Sequence, residues 1–135
     1  MFKVSKTVTF AYGHRLLDYQ GKCENLHGHN GRVELTLSAR TLDGQKMVAD
    51  FTTAGAALKG WLDANFDHKV ILCSRDPLIK AMKEHGQEYF ITPDNPTAEV
   101  MAELIFNEMK KLGLPVCKVK FWETDTSVAS YKEDK

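Results

Sequence analysis

The sequence predicts an α+β fold in which helices pack on one face of an antiparallel sheet. Segments near both ends of the chain alternate apolar and polar residues, which is typical of half-buried strands, and two segments between them repeat apolar residues at helical spacing. In chain order the elements are predicted to be β-β-β-α-(α)-β-α-β. Consecutive strands can then pair as hairpins while the helices cover one face of the sheet.

The strands are predicted from alternation. Residues 4–14 carry mostly apolar side chains at even positions, whereas residues 32–40 carry valine and leucine at odd positions. The turn signal Asp43-Gly44 predicts a hairpin to a third strand over residues 47–51. The last strand is predicted from about Val116 to Thr124, with its odd positions facing inward.

The helices are predicted from spacing and from end signals. Apolar residues recur at helical intervals from residue 53 to about 65. Asn95-Pro96 is the predicted start of a second long helix, with asparagine as the cap, and Gly113 is its predicted end. Between them, residues 77–85 are predicted as a shorter helix, followed by a strand-like segment over residues 89–91.

Length and composition bound the class of protein. A chain of 135 residues fits a single domain over residues 1–135, with a charged tail at residues 132–135 that we expect to fray. Eighteen basic residues balance eighteen acidic ones, which argues against nucleic-acid binding. No segment approaches the roughly 18 apolar residues of a membrane span, and the N-terminus lacks the apolar region of a signal peptide. We therefore expect a cytoplasmic protein whose three cysteines are reduced thiols.

The run Cys23-Glu24-Asn25-Leu26-His27-Gly28-His29 predicts a metal site. His27 and His29 are two residues apart, so on a strand both rings project from the same face. His14 ends the first strand on that strand's apolar face, and pairing of the two strands would bring it alongside. Three imidazoles with one open position are typical of catalytic zinc, although nitrogen ligands also suit copper, nickel or iron. A histidine pair alone could equally be structural.

Cys23 lies four residues before His27, in a turn next to Lys22. A nearby cation lowers the pKa of a thiol and makes it a base or a nucleophile. The same spacing also fits Cys23 as a fourth zinc ligand that closes a structural site. The sequence leaves both interpretations open.

Two further sets of residues could move protons or bind a ligand. Asp67-His68 follows the first long helix, and a histidine oriented by a carboxylate is a common proton shuttle, although a capping aspartate beside a surface histidine explains the pair as well. Glu123 continues the inward positions of the last strand. A carboxylate there could accept two hydrogen bonds from a guanidine-like ring edge, unless the strand has already left the core.

In chain order the sequence carries His14, the run Cys23-x3-His27-Gly28-His29, Asp67-His68, the helix start Asn95-Pro96-Thr97-Ala98-Glu99, and Glu123-Thr124. This combination, which spans residues 6–131, resembles the 6-pyruvoyltetrahydropterin synthase superfamily. The three-residue gap between Cys23 and His27 is similar to that of the bacterial 6-carboxytetrahydropterin synthase branch, which supplies queuosine synthesis. Gly31, where an aromatic residue is more usual, and the long stretch 74–94 depart from this branch and concern the shape of the pocket.

The resemblance implies a tunnelling fold, in which the sheets of several subunits join into a barrel with helices outside, and a homohexamer built from two trimers. It implies one Zn²⁺ per subunit held by His14, His27 and His29. Cys23 would then be the proton-abstracting thiol, with Asp67 and His68 completing a relay from the same or a neighbouring subunit. Glu123 would anchor the pterin ring, with Thr124 beside it.

The implied reaction converts 7,8-dihydroneopterin triphosphate to 6-carboxy-5,6,7,8-tetrahydropterin, with release of acetaldehyde and triphosphate. Lys22, Arg15 and Lys69 are candidates for binding the triphosphate. One alternative is a 6-pyruvoyl-forming or folate-directed pterin enzyme. A second is a non-catalytic, zinc-stabilised binding module with four protein ligands.

Overall fold

A computed structural model describes residues 1–134 and contains six strands, three α-helices and one short 3₁₀ helix. The strands are β1 (Phe2–His14), β2 (His27–Ala39), β3 (Lys69–Cys73), β4 (Tyr89–Thr92), β5 (Val116–Thr124) and β6 (Ser127–Tyr131). The α-helices are α1 (Phe51–Asn65), α2 (Leu78–Glu84) and α3 (Ala98–Lys111), and the 3₁₀ helix covers Lys22–Glu24. Among residues 1–134, no helix is both long and apolar enough to cross a membrane.

The six strands form one sheet in the order β4-β3-β1-β2-β5-β6, which curls into a half-barrel. The two long strands β1 and β2 pair antiparallel along their whole length, from Phe2 opposite Ala39 to His14 opposite His27. β5 and β6 continue the antiparallel arrangement on one side. On the other side β3 and β4 are added in parallel. The α+β prediction is confirmed, but the sheet is mixed rather than wholly antiparallel. α2 is the crossover between the parallel strands β3 and β4, and the connection between the parallel strands β1 and β3 contains β2 and α1.

The core lies between one face of this sheet and the two long helices. Even positions of β1 and odd positions of β2 and β5 are buried on this face, as alternation predicted. α1 contributes Leu58 and Leu62, and α3 contributes Met101 and Ile105; all four side chains are fully buried. The opposite face of β1 and β2 carries threonine, serine and charged residues, so it needs no cover within the chain.

The predicted third strand over residues 47–51 is wrong. Asp43 does begin a turn, and its carboxylate accepts hydrogen bonds from the backbone N–H groups of Gln45 and Met47. Asp50, however, is the N-cap of α1, and its carboxylate accepts from Thr52 N at 2.7 Å. A helix begins at Phe51, because a side-chain cap satisfies N–H groups that a strand would have needed to pair with a neighbour.

Two strands were not predicted, and one helix begins later than expected. β3 is a five-residue apolar segment, and β6 immediately precedes the charged tail. α3 is capped by the hydroxyl of Thr97, which accepts from Val100 N at 3.2 Å, rather than by Asn95. Its predicted end is confirmed, because Gly113 follows the helix with φ of 88°.

The tail has no regular secondary structure over residues 132–134, and Lys135 lies outside the described residues. Glu133 accepts a hydrogen bond from Lys110 Nζ at 3.0 Å, on the last turn of α3. The end of the chain is therefore attached to α3 by an exposed ion pair, which contributes little to stability.

Asp50→Ala tests the revised start of α1. We expect the free energy of unfolding, measured by urea denaturation, to fall by about 1 kcal/mol, because two helical N–H groups lose their acceptor. Asp63→Ala on the same helix is the control: among residues 1–134, Asp63 pairs only with Lys59, at an exposed position, and its loss should cost less than about 0.5 kcal/mol. Equal effects of the two substitutions would contradict the capping role.

Candidate metal centre and its surroundings

The pairing of β1 with β2 brings three histidines together. His14 lies opposite His27, and Tyr12 lies opposite His29, so all three imidazoles project from the same face of the sheet. Their ring centroids are 4.6 to 5.1 Å apart. One ligand nitrogen from each ring can be chosen so that all three lie within 4.8 Å of one another. The predicted convergence of His14, His27 and His29 is confirmed, and the group could hold a metal ion.

Hydrogen bonds to backbone carbonyls hold two of the three rings and leave the other nitrogen of each available. His14 Nδ1 lies 2.8 Å from the carbonyl oxygen of Pro96, and His27 Nδ1 lies 2.7 Å from that of Asn25. A ring that donates from Nδ1 presents the lone pair of Nε2, which is the arrangement found for metal-bound histidine. Within residues 1–134, the Nε2 atoms of His14 and His29 are buried and have no hydrogen-bond partner. A metal would satisfy both atoms, so the donor set fits one.

Burial keeps these imidazoles in the metal-binding form. It lowers the pKa of His14 from 6.5 to about 4, against the opposing effect of the Pro96 carbonyl, and the other two histidines lower it further. Burial likewise lowers the pKa of His29, although the negative charge of Glu123 opposes that shift. At neutral pH both rings are therefore uncharged and need to lose no proton before binding a cation.

The residues before α3 help to fix the position of the His14 ring. The Asn95 side-chain oxygen accepts from Leu17 N at 2.8 Å, and its amide nitrogen donates to Leu17 O at 2.9 Å. This pair of bonds ties the start of α3 to the loop that follows His14, and it places the Pro96 carbonyl at the imidazole. Asn95-Pro96 thus belongs to the site rather than to the helix, which is why the predicted helix start was early.

Cys23 lies in the 3₁₀ helix and lines a cavity of about 500 Å³ together with His14 and Glu123. Its sulfur is not part of the group of ligand atoms that lie within 4.8 Å of one another. The side chain is partly exposed. In this chain the thiol is therefore beside the imidazoles and separate from their ligand set.

Glu123 lines the cavity beside the imidazoles, whereas Thr124 does not. Glu123 Oε1 lies 3.9 Å from His14 Nε2, and the carboxylate faces the same cavity as Cys23. The Thr124 hydroxyl lies 3.4 Å from that of Thr126 in the turn before β6, and Thr124 does not line this cavity. The structure thus brings Glu123 to the imidazoles but does not do so for Thr124 within one chain.

Asp67 and His68 form a pair in the turn between α1 and β3. His68 Nδ1 lies 2.9 Å from Asp67 Oδ2, and the other carboxylate oxygen accepts from Ala11 N at 3.0 Å. The bond from Ala11 is the main cause that lowers the pKa of Asp67. His68 has φ of 60°, which turns the chain so that adjacent side chains can meet. The ring is 80% exposed and lines a cavity with Gly13 and His27, whereas Cys23 lines the separate cavity that contains His14. One chain therefore does not bring His68 into the cavity of Cys23.

Two of the three residues predicted for triphosphate binding already have acidic partners. The Arg15 guanidinium makes two hydrogen bonds to the buried carboxylate of Asp76, whose pKa it lowers. Lys69 Nζ lies 3.5 Å from Glu88. The Arg15 guanidinium is therefore occupied by its ion pair with the segment before α2.

One residue at this site was not predicted from sequence. The alternation over residues 4–14 predicts only that Tyr12 lies on the apolar face of β1, yet its ring contacts both His14 and His29, with centroids 5.2 and 5.5 Å away. Burial, and then the charge of Glu123, raise the pKa of the Tyr12 phenol far above its usual range. The available signal was a polar atom on the apolar face two residues before His14.

Fold and site together define an α+β half-barrel protein with a three-histidine centre able to hold a metal. The family model for 6-pyruvoyl tetrahydropterin synthase matches residues 3–134, and the chain belongs to this family.

Curated relatives agree with this assignment. The chain is 40% identical over 111 residues to the 6-carboxy-5,6,7,8-tetrahydropterin synthase of Rickettsia bellii, covering 81% of this chain and 80% of the relative. It is 36% identical to the enzyme of that name from Aquifex aeolicus, covering 98% and 99% of the two chains.

Solved structures show the same fold. An uncharacterized protein of Wolinella succinogenes superimposes with a TM-score of 0.76 at 24% identity, covering 98% of each chain. The 6-pyruvoyl tetrahydropterin synthase of Caenorhabditis elegans does so with a TM-score of 0.73 at 22% identity, covering 98% of this chain and 96% of that one.

The low pKa of His14 predicts how the stability of the metal-free protein depends on pH. The folded pKa of about 4 lies below the unfolded value of 6.5, so the unfolded chain binds more protons between these values, and stability falls as pH falls through that window. Between pH 7 and pH 5 this one group should remove about 2 kcal/mol of unfolding free energy.

Urea denaturation of the metal-free protein at several pH values measures this effect. His14→Gln should lose most of the difference between pH 7 and 5, whereas His85→Gln, at an exposed helix end, should keep it. The same pH dependence in all three proteins would show that His14 is not the group responsible.

Proposed function

We propose that this protein is a zinc-dependent lyase that converts 7,8-dihydroneopterin triphosphate to 6-carboxy-5,6,7,8-tetrahydropterin, releasing acetaldehyde and triphosphate, for queuosine synthesis. The observation that carries the proposal is the cavity in which His14, Cys23 and Glu123 meet beside two further imidazoles. Relatives that are named 6-carboxy-5,6,7,8-tetrahydropterin synthase, at 32 to 40% identity over most of the chain, favour this product over the 6-pyruvoyl one.

His14, His27 and His29 would hold the zinc, one ion per subunit. Bound zinc would supply Lewis-acid chemistry, acidifying hydroxyl groups and adjacent C–H bonds of the substrate side chain. The absence of Cys23 sulfur from the compact ligand group supports a thiol that remains available for chemistry rather than one that closes a structural site.

Proton transfer is assigned to Cys23, Asp67 and His68. The thiolate of Cys23 would remove a proton from the substrate side chain at the wall of the cavity. His68, oriented by Asp67, would donate or accept the other proton. Because His68 is largely exposed and does not line the cavity of Cys23, we propose that it serves the cavity of a neighbouring subunit.

The edges of the sheet support an assembly of several copies. In the described part of the chain β4 and β6 are the edge strands of the sheet, and each has a row of backbone donors and acceptors that a strand of another copy could satisfy. We propose that such pairing closes the half-barrel into a barrel and that the protein is a cytoplasmic homohexamer of two trimers. Thr124, next to the turn before β6, would then contact the pterin across a subunit boundary, beside the ring anchored by Glu123.

Cys23→Ala tests the proton-transfer role. We expect the variant to fold and to bind zinc as tightly as the parent, while turnover of 7,8-dihydroneopterin triphosphate falls by at least about 100-fold, the lower range for loss of a general acid–base group. Cys117→Ala, a partly buried thiol on β5 that lines a different cavity, is the matched control and should retain activity.

Mass spectrometry of the parent reaction identifies the product. 6-Carboxytetrahydropterin with acetaldehyde supports the proposal, and a 6-pyruvoyl product identifies the other branch of the family. If Cys23→Ala loses its zinc, the thiol is a ligand and the assigned role is wrong. If zinc-loaded parent protein turns over no pterin, the site belongs to a non-catalytic module.

Glu123→Gln tests the pterin anchor. Replacing the carboxylate by an amide removes the charge and one acceptor, so the dissociation constant for a pterin should rise roughly 10- to 100-fold in a fluorescence titration. Glu34→Gln is the control, because Glu34 lies on the polar face of β2 and forms an ion pair with Lys120, at 3.9 Å. An unchanged affinity in Glu123→Gln would remove this residue from the binding site.

A further inference from the structure

Two exposed apolar side chains, Tyr19 and Val128, line the cavity that contains His14, Cys23 and Glu123. Single exposed apolar residues are ordinary on a protein surface. At the wall of a cavity they have a different significance, because ligand pockets are lined mainly by apolar and aromatic side chains with a few polar groups. Val128 belongs to the edge strand β6, where the proposed strand pairing would cover it. Tyr19 lies in the loop after β1, so its exposure needs another explanation.

The Tyr19 ring occupies space that Gly21 leaves open. A Cβ atom at position 21 would lie 2.7 Å from Tyr19 Cε1 and 3.5 Å from Cδ1, and the first distance is closer than packed atoms approach. Gly21 has φ of 162°, which is extended backbone open to other residues, so the glycine provides room rather than an unusual conformation. One edge of the ring therefore rests on this backbone, while Tyr19 as a whole remains 46% exposed.

The same loop carries the thiol. Leu16 N donates to the carbonyl oxygen of Cys23 at 2.8 Å, which closes the loop, and Gly21 is the N-cap of the 3₁₀ helix that contains Cys23. The ring is thus placed on the backbone two residues before the thiol, and both side chains line one cavity. A ligand that brings a reacting atom to Cys23 would have the Tyr19 ring beside it.

The chemistry of the cavity indicates what the ring would contact. A pterin is a flat heterocycle that has two apolar faces and hydrogen-bonding groups along its edge. The Glu123 carboxylate can accept from the edge, but it offers nothing to a face. Tyr19 is the one aromatic side chain besides His14 among the described residues that line this cavity. Aromatic rings pack well against flat heterocycles, and the phenol of a partly exposed tyrosine can stay in water while its ring does so.

We propose that Tyr19 is a substrate-binding residue whose ring packs against one face of the bound pterin, and that Gly21 sets the position of that ring. The inference rests on the proposed function, because it takes the ligand of this cavity to be a pterin. It adds the residue that contacts the heterocycle itself. It also specifies that affinity depends on the aromatic ring of Tyr19 and not on its hydroxyl.

Fluorescence titration of zinc-loaded protein with neopterin tests this contact. Tyr19→Ala should weaken neopterin binding about 10-fold, within the range of roughly 5- to 150-fold expected when an aromatic ring is removed from a stacked base. Tyr19→Phe should stay within about twofold of the parent, because the ring is kept, and zinc affinity should stay within about threefold in both variants. Phe51→Ala is the control: Phe51 is also exposed, at 54%, and lines a different cavity.

Turnover of 7,8-dihydroneopterin triphosphate gives a second readout. A contact with the face of the heterocycle is made equally in the ground state and in the transition state, so Tyr19→Ala should raise KM and leave kcat nearly unchanged. A fall in kcat with unchanged KM would place Tyr19 in the chemical step and contradict the inference.

Three results of the binding experiment would overturn the inference. Unchanged neopterin affinity in Tyr19→Ala would leave the proposed function in place and remove this residue from the site. An equal loss in Tyr19→Phe would assign the effect to the hydroxyl. A change in the oligomeric state of Tyr19→Ala, measured by size-exclusion chromatography, would identify the ring as a contact between subunits. If the zinc-loaded parent binds no neopterin, the proposed function itself fails, and the inference fails with it.

Gly21→Ala provides an independent arm. The added methyl group should displace the Tyr19 ring and weaken neopterin binding as Tyr19→Ala does, and it should have no further effect in the Tyr19→Ala background. Gly44→Ala, also outside helices and strands, is the matched control, because a Cβ there meets nothing within 4 Å. Full neopterin affinity in Gly21→Ala would contradict the role given to the position of the ring.

Discussion

The register between β1 and β2 is the constraint on which this site depends. Because side chains alternate across a strand, His14 opposite His27 and Tyr12 opposite His29 must all project from one face. A slip of one residue would move one set of rings to the other face of the sheet and separate the ligands. The same alternation buries Phe10, Val33 and Leu35 against the helices, so the hydrophobic core fixes the register that the candidate metal site requires.

The site then draws on elements far away in sequence. The Pro96 carbonyl, 82 residues from His14, orients that imidazole, and the side chain of Asn95 holds it by bonding to the backbone of Leu17. β5 brings Glu123 to within 3.9 Å of the same ring. The ligand set is therefore provided by one hairpin-like pair of strands, while its orientation and its acidic neighbour come from the C-terminal half of the chain.

Much of this arrangement could be predicted from sequence because it follows period-two alternation over long segments. That pattern located β1, β2 and β5, and parity assigned the histidines and Glu123 to the core face. β3 could not be predicted, because a five-residue apolar strand has no alternation that would distinguish it from a buried helical segment. The hairpin predicted at Asp43-Gly44 is wrong because Asp50 caps a helix. The predicted helix start at Asn95 is too early because the Asn95 side chain bonds to Leu17 instead of capping the helix. The position of the Tyr12 ring depends on the space that Gly31 leaves open, which no local pattern records.

The central claim is that three imidazole nitrogens hold one metal ion while the thiol of Cys23 stays outside its coordination shell. X-ray absorption at the zinc edge of the zinc-loaded, substrate-free protein tests it most directly. The account predicts three imidazole nitrogens at about 2.0 Å, one further light atom and no sulfur. A sulfur scatterer at about 2.3 Å would contradict the account, since the thiol would then close the site.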